Sequence, residues 1–524
     1  MTIENTAEAE ASAGPADLAA ALREGAARRP ADLVFHGETG TIEISSPKVL
    51  ERAGRVATGL TGLGVQRGDV VAFQLTNRVE NAIVHAAVLL CGAVALPIVP
   101  IYKLREVSFV LRQSGATALI AFPGMAAEVL AARSDLPDLR AVIAIRDGGA
   151  VPMPPGAASW TELEASDPLP TLAPAPADEV AVLVYTSGTT AEPKGVQHTH
   201  RTLMAEMATL PGVRRSADGV VYLDAFPPGH VAGLNVVLRA LIHGLSTVFM
   251  ERWNAEVALD LIHRHGVTSS AGVPFHLAAL LDAAANTGRG TGTLRDYLVG
   301  AASVPPVLVE RVQRAGVAAY RSYGSSEHPT ISSGTPDDPL AKRAHTDGRP
   351  MPGNEVRIVD AQGHDVPPGR DGEILSRGPE LFPGYRDEAL NTTTFARDGW
   401  LRTGDVGRLD EDGYLTVTDR LKDIIVRGGE KISSKEVEDL LAAHPSVAEA
   451  VAVAEPDERY GERVCAFTVL HPGASLDLDA VRAHFAAAGA ARQKTPERLI
   501  VVDTLPRTAA GKVRKTELRA TLNP

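Results

Sequence analysis

The chain has 524 residues with 52 basic against 64 acidic side chains, a formal net charge of −12. That balance argues against a nucleic-acid-binding surface as its main business, though not against a local basic patch for a polyanionic cofactor. The length exceeds what one core supports, so at least two domains are expected, and 44% apolar with 22% charged residues fits a soluble globular protein. No apolar run reaches roughly 18 residues and no basic-then-apolar leader opens the chain, so a cytosolic location is expected. Cys91 and Cys465 lie far apart in apolar contexts and read as buried free thiols.

Residues 1–15 are rich in Glu, Ala and Ser with little to bury, and are expected to form a disordered tail. From Asp17 the pattern is helical, with Leu18, Leu22 and Ala26 on one face. Val70 to Leu75, Ala93 to Val99 and Ala116 to Ala121 read as strands, alternating with helices at Arg78–Leu90 and Leu104–Ser114. This alternation predicts a parallel sheet covered on both faces. Pro152 to Pro176 reads as a Pro/Ala-rich surface connection. Further on, helices are predicted at Arg201–Leu210, Ala255–His265 and Leu277–Ala285, with a strand at Gly219–Asp224. His198 and His200 read as surface residues beside a polar strand.

The sequence style changes near Asp419–Asp423. Ser433 and Glu436 form a capping-box pattern opening a helix with Val437, Leu440 and Leu441 on one face. Strands are predicted at Val447–Ala454, Ala466–Leu470 and Arg498–Val502, and a helix at Leu478–Ala488. The expected organisation is α/β: a large N-terminal domain of stacked α/β subdomains over 16–420, and a small mobile α+β domain over 421–524.

Four hydroxyls and one glycine follow one another at Thr186, Ser187, Gly188, Thr189 and Thr190, just after an apolar run ending at Tyr185. Such a loop can offer backbone N–H groups and short O–H donors together, a concave donor surface suited to phosphate oxygens. Lys194 adds a point charge and Pro193 restrains its approach. No GK[ST] follows, so this is not the nucleotide loop of kinases and GTPases. Three more clusters, at Val299–Ser303, Ser322–Glu327 and Trp400–Asp405, each have apolar sequence before them and a small-residue turn after. That is the layout of site residues at strand ends in an open α/β sheet.

Tyr185–Gly195 resembles the phosphate loop of the adenylate-forming superfamily, with Ala191 where glycine is usual. Ser322-Tyr-Gly-Ser-Ser-Glu327 is similar to its Y-G-x-[TS]-E element, Arg402-Thr-Gly-Asp405 to its R-T-G-D, Asp419-Arg-Leu-Lys422 to its D-R-x-K hinge, and Pro506–Lys512 to its P-[RK]-T-x-x-G-K. The resemblance implies activation of a carboxylic acid by ATP and Mg²⁺. Lys194 and the Thr186–Thr190 loop are then expected to cradle phosphates, Glu327 to ligate Mg²⁺, and Ser326 to contact the α-phosphate. Asp405 is expected to accept from the ribose diol with Arg420 assisting, while Tyr323 and the Gly300-Ala301-Ala302 backbone sandwich adenine, with Ser322 and Gly324 also among the nucleotide-binding residues. Lys512 is expected to bridge the acid and the α-phosphate, delivered by movement about Lys422.

The segment Arg427–Ser433 after the hinge resembles stand-alone acyl-CoA ligases, which implies CoA as acceptor, with Gly428 and Gly429 lining its path. A plain hairpin turn there is as good a reading. Val426 stands where some relatives carry lysine. Transfer to a carrier protein or a separate partner is the enzymatic alternative, and an inactive nucleotide- or acyl-binding protein the non-enzymatic one. For the acid pocket the resemblance points to His230, Gly233, Val273, Pro274 and Ser303. Their small or apolar character implies a bulky, medium-chain or alicyclic apolar acid.

Overall fold

The computed structural model describes residues 17–146, 151–186, 193–209, 219–302, 304–428, 430–508 and 511–522. The expected tail, Ser187 to Thr190, Ser303 and Gly429 lie outside them.

Two large sheets organise the N-terminal part. One has seven strands, in the order Ala158–Ser159, Ala141–Ala144, Ala116–Ala121, Val70–Gln74, Val94–Pro97, Val180–Thr186, Lys194–Thr199. Its interior pairings are parallel and its last is antiparallel, placing Thr186 opposite Lys194. The other has nine strands; its central members are Ala318–Tyr323, Asp296–Val299, Ser269–Gly272, Val221–Asp224, Ser246–Met250 and Asp32–Gly37, all mutually parallel.

One core joins the facing sides of both sheets through the helices Leu18–Arg28, Ser46–Gly62, Val79–Leu90 and Val231–His243. Leu104–Ser114 and Pro123–Ala131 cover the outer face of the seven-stranded sheet. Ala255–His265, Pro274–Thr287 and Pro306–Arg314 cover that of the nine-stranded one. The layers therefore alternate helix, sheet, helix, sheet, helix.

The helix Val231–His243 was not anticipated. Gly233 to Ile242 are all buried, because the helix lies between two sheets, so no amphipathic period marks it. The connection 152–176 also holds more than surface: Trp160–Glu164 is a short helix that buries Trp160 and Leu163. His198 and His200 are corrected outright. Both are buried, His198 fully, because their strand turns directly into the helix His200–Thr209 and packs beneath the neighbouring loop.

A four-stranded antiparallel sheet follows, Glu355–Val359, Gly372–Arg377, Leu401–Leu409 and Leu415–Arg420. Asp405 lies inside its third strand, not at a strand end as its sequence context suggests. Pairing on both sides carries the strand through Gly404, whose φ of 71° only a glycine adopts without strain.

The remaining sheet draws on Ile425–Arg427, Glu430–Ile432, Val447–Asp457, Gly461–Leu470 and Arg498–Val501. Among the described residues its two cores run from Ile425 to Leu522 only, so this part buries its own apolar surface. Ser433 caps the helix Ser434–Ala442 by accepting from the Glu436 N–H. Cys91 and Cys465 are free and buried.

Candidate active site

Two strand ends of the nine-stranded sheet form the floor. Gly300 follows Val299, whose strand pairs with Ala318–Tyr323; a Cβ on Gly300 would stand 2.9 Å from the Ser322 carbonyl oxygen. The chain passes so close to its neighbour that only hydrogen fits. Ala301 then takes φ 61°, a left-handed conformation that costs a residue with a Cβ about 1 kcal/mol. Ala301 and Ala302 are exposed, leaving a flat surface beside Tyr323. Gly324 serves packing: its Cβ would stand 1.9 Å from the Pro329 carbonyl oxygen, inside the reversal that carries Ser326 and Glu327.

Across this floor stands Asp405, 6% exposed. The Tyr323 hydroxyl donates to Asp405 Oδ2 at 2.7 Å, and Arg420 Nε lies 3.1 Å from Oδ1. Asp405 and Arg420 face each other across adjacent strands, so backbone pairing sets the ion pair. Burial, and then the Asp405 charge, holds the Tyr323 phenol well above its usual range, so it stays a neutral donor. A carboxylate has about four acceptor positions, so Asp405 keeps capacity for a diol.

Glu327 is held from two directions, and the residue before it from a third. Its Oε1 accepts from the Tyr385 hydroxyl at 2.6 Å, and its backbone carbonyl accepts from Phe382 N–H at 2.9 Å. Beside it, His198 Nε2–H donates to the Ser326 carbonyl at 2.7 Å. Lys194 Nζ lies 5.2 Å from the Tyr385 ring centre, so one tyrosine neighbours both the Lys194 ammonium and the Glu327 carboxylate. The strap 382–386 is itself tied to that strand, with Arg386 N–H donating to the Gly195 carbonyl at 2.8 Å. Tyr385 and His198 were missed as site residues. The run Phe382-Pro-Gly-Tyr385 was a usable turn signal, whereas nothing local marks His198.

Lys512 reaches this place from the far end of the chain. Its loop is closed by Gly511 N–H on the Thr508 carbonyl (2.9 Å) and by Arg507 Nη1 on the Gly511 carbonyl (2.7 Å). It seats on the helix Pro274–Thr287. A Cβ on Gly511 would stand 2.9 Å from Val273, and the Arg507 guanidinium lies 5.2 Å above the Phe275 ring. Lys512 stands in a crowded cleft open to water. Desolvation, followed by the charge of Arg420, brings its ammonium down to about 8 against the pull of Asp405 and Glu327. The imidazole of His230 is pushed down to about 4 by burial and then by Lys512.

The cleft thus gathers Lys194, Tyr323, Glu327, Asp405, Arg420 and Lys512 with His230 and Val273. Pro274 opens the helix beneath Val273. Gly233 serves packing, since a Cβ there would stand 2.4 Å from the Pro227 carbonyl oxygen. Gly428, at φ 58°, turns a hairpin and donates its N–H to the Tyr460 carbonyl at 2.7 Å, a contact within its own sheet region. Lys422 keeps contact with water but sits in a crowded stretch, where partial desolvation and then the Arg420 charge hold its ammonium below the usual lysine range.

No group of three or more His, Cys, Asp or Glu gathers to hold a metal among the described residues. Mg²⁺ in phosphate-transfer sites takes one or two carboxylates with the rest from phosphates and water, so Glu327 alone is a fitting protein ligand. No helix among these residues is long and apolar enough to cross a membrane.

The family model described as AMP-binding enzyme matches residues 22–386, and that described as AMP-binding enzyme C-terminal domain matches 436–512. A medium-chain fatty-acid–CoA ligase of Escherichia coli K12 is 35% identical over 477 residues, 88% of this chain and 83% of the relative. A salicyl-AMP ligase / salicyl-S-ArCP synthetase of Mycobacterium tuberculosis is 34% identical over 487 residues, 90% and 84% of the two chains. The ATP-bound structure of MatB from Rhodopseudomonas palustris superposes with a TM-score of 0.87 at 29% identity, covering 97% of this chain and 99% of that one.

Proposed function

This chain belongs to the AMP-binding enzyme family, forming an acyl-adenylate from ATP and a carboxylic acid with Mg²⁺ and passing the acyl group to CoA, and from that premise we propose residue roles and an acid class. The observation that carries the roles is the meeting of Lys512 with Asp405, Arg420 and Glu327 in one cleft beside His230.

In the first step a carboxylate oxygen of the acid attacks the α-phosphorus of ATP, and the bond to pyrophosphate breaks. Both reactants are anions, so catalysis is mostly holding them in line and offsetting charge. Asp405 accepts from the ribose diol, with Arg420 and Tyr323 fixing its orientation. The Ala301–Ala302 surface and Tyr323 frame the base. Lys194 and the Thr186–Thr190 loop take the β- and γ-phosphates. Glu327 would hold Mg²⁺, which would supply positive charge against the phosphates. The Lys512 ammonium lies between the carboxylate and the α-phosphate.

In the second step the CoA thiol, giving up its proton to water, attacks the acyl carbonyl carbon; the C–S bond forms, the C–O bond to the phosphate breaks, and AMP leaves with its electron pair. Lys512 and the Gly428 hairpin cannot occupy the same place, so the domain from Leu421 onward rotates about Lys422. Two anchors bracket the pivot: Arg420 on Asp405 to one side, and Asp423 paired with Arg519 at 2.6 Å on the other. Leu421 and Lys422 between them are exposed.

The acid is apolar, of medium length or alicyclic. On the helix that carries Gly233, Asn235 is taken up by Glu206 at 2.9 Å and Arg239 lies 5.1 Å over the Tyr222 ring. The polar groups near the pocket are thus spent within the protein, while His230, Val273 and Pro274 offer it volume. A cytoplasmic location belongs to this reading, since ATP and CoA are drawn from that compartment. The test is ATP–pyrophosphate exchange over aliphatic, alicyclic, aromatic and amino acids, followed by CoA. Exchange with an apolar acid and thioester on adding CoA are expected. Exchange only with charged or amino acids overturns the acid class, and adenylate that no thiol of CoA discharges points to a carrier protein as acceptor.

A further inference from the structure

Behind the Ser326–Glu327 segment lie two buried carboxyl groups that the reaction does not touch. Glu206, on the helix His200–Thr209, is fully buried, and so is Glu380, just before the strap that carries Tyr385. Glu206 Oε1 accepts from Asn235 Nδ2 at 2.9 Å and from the Thr330 hydroxyl at 2.8 Å. Its Oε2 is sealed from water with no donor on it among the described residues, and the Glu380 carboxyl lies within interaction reach of the Glu206 carboxyl. Glu380 accepts from the Thr209 hydroxyl and, at 3.5 Å, from Asn354 Nδ2, which also donates to the Thr330 carbonyl at 2.9 Å.

Two carboxylates facing each other in a dry interior cannot both be ionised, because desolvation and mutual repulsion act together. A proton between them supplies the donor that Oε2 lacks. The charge then balances. Arg239 is the cation that reaches Glu206, and it faces one negative charge on the pair. Burial pushes the carboxyl of Asp224, an acidic neighbour of Arg239, up to about 8, against the pull of the Phe226 N–H and Arg239. Burial, then Glu380, raises the Glu206 carboxyl well above its usual range.

The pair also has a position. Through Thr330 it grips the loop three residues after Glu327, and through Glu380 it grips the strap whose Phe382 and Tyr385 hold Glu327. Through Glu206 it grips the helix that continues the Lys194 strand. We propose that Glu206 and Glu380 share one proton as a positioning pair, and that this link holds the Glu327 loop, the Tyr385 strap and the Lys194 strand in the register that binds MgATP. The inference rests on Glu327 and Lys194 serving MgATP.

Infrared difference spectroscopy counts the proton and needs no activity. Glu206→Gln and Glu380→Gln should each lose one carboxylic-acid C=O band at pH 7.5, and the double variant should lose the same single band. Two bands lost in the double variant, or none in any, overturns the shared proton. Titration calorimetry with MgATP reads the positioning. Glu206→Gln keeps an acceptor for Thr330 and donates its amide N–H to Glu380, so its affinity should stay within about twofold of wild type. Glu206→Ala strands buried polar partners and should weaken MgATP by about tenfold. Thr330→Val, which cuts only the strut to the loop, should weaken MgATP severalfold while the band persists. A Thr330→Val protein with wild-type MgATP affinity overturns the positioning role. Wild-type protein that fails to bind MgATP at all breaks the nucleotide reading and with it the positioning role, leaving the shared proton to the infrared result.

Discussion

Two loops of the C-terminal part stand in opposite situations. The Lys512 loop is seated in the cleft: Gly511 lies against Val273, Arg507 over Phe275, and the ammonium near Asp405, Arg420 and Glu327. The Arg427–Glu430 hairpin is bound up with its own sheet. Arg427 pairs with Glu497 at 2.7 Å and stacks 3.9 Å over the Tyr460 ring, while Gly428 bonds the Tyr460 backbone. The difference teaches that one cleft cannot hold both loops at once: the arrangement in hand suits the adenylate formation proposed above, and the proposed rotation is what would bring the other loop to it.

The sharpest way to break that comparison is Lys512→Ala. Pyrophosphate exchange should fall about 10²–10³-fold, the scale for losing one preorganised charge in the transition state. Thioester formation from synthetic acyl-adenylate and CoA should survive, and an equal loss in both steps would remove the distinction between the loops.

Lys422→Pro probes the proposed pivot from the other side. Proline fixes φ near −65° and also restricts Leu421, while any rotation there must release Ser434 N–H from Asp419 Oδ2, now at 2.6 Å. Exchange should persist while thioester formation drops about a hundredfold, as when a gating motion is blocked. Stalled adenylate should be recoverable from the enzyme; a normal thioester rate would put the pivot elsewhere.

Tyr385→Phe is a smaller perturbation on the seated side. It removes the donor on Glu327 Oε1 but keeps the ring beside Lys194. The Mg²⁺ concentration for half-maximal exchange should shift about tenfold or less, in line with one charge-assisted hydrogen bond. An unchanged Mg²⁺ dependence would reduce Tyr385 to packing.

The smallest effect is on pH. With its ammonium brought down to about 8, Lys512 is charged below that pH and loses the bridging charge above it, so exchange should decline on the alkaline side. In Lys512→Arg the residual exchange should keep its level there, since guanidinium stays protonated. The same alkaline decline in both proteins would assign it to another group.

Local chemistry was legible where each element carries its own signals. The helices Leu104–Ser114 and Ala255–His265 were read to the residue, each stopped by a left-handed glycine, Gly115 or Gly266. The strand Ala116–Ala121 was equally plain. Of the site, the residues in ordered motifs, Lys194, Glu327, Asp405, Arg420 and Lys512, were named from sequence, because oriented polar groups need fixed spacing.

What the sequence by itself determined was thus the elements that carry their own period and caps, the family resemblance and the identity of the polar groups, all written in neighbouring residues. Tertiary structure alone decided the rest. Val231–His243 is a helix without an amphipathic face because sheets cover both its sides. His198 is buried by a carbonyl 128 residues away, and Tyr385 reaches Glu327 across 58. Glu206 and Glu380, 174 positions apart in the chain, can share a proton only once three elements pack together around them. Such contacts depend on which surfaces meet, and a one-dimensional pattern carries no distance between them.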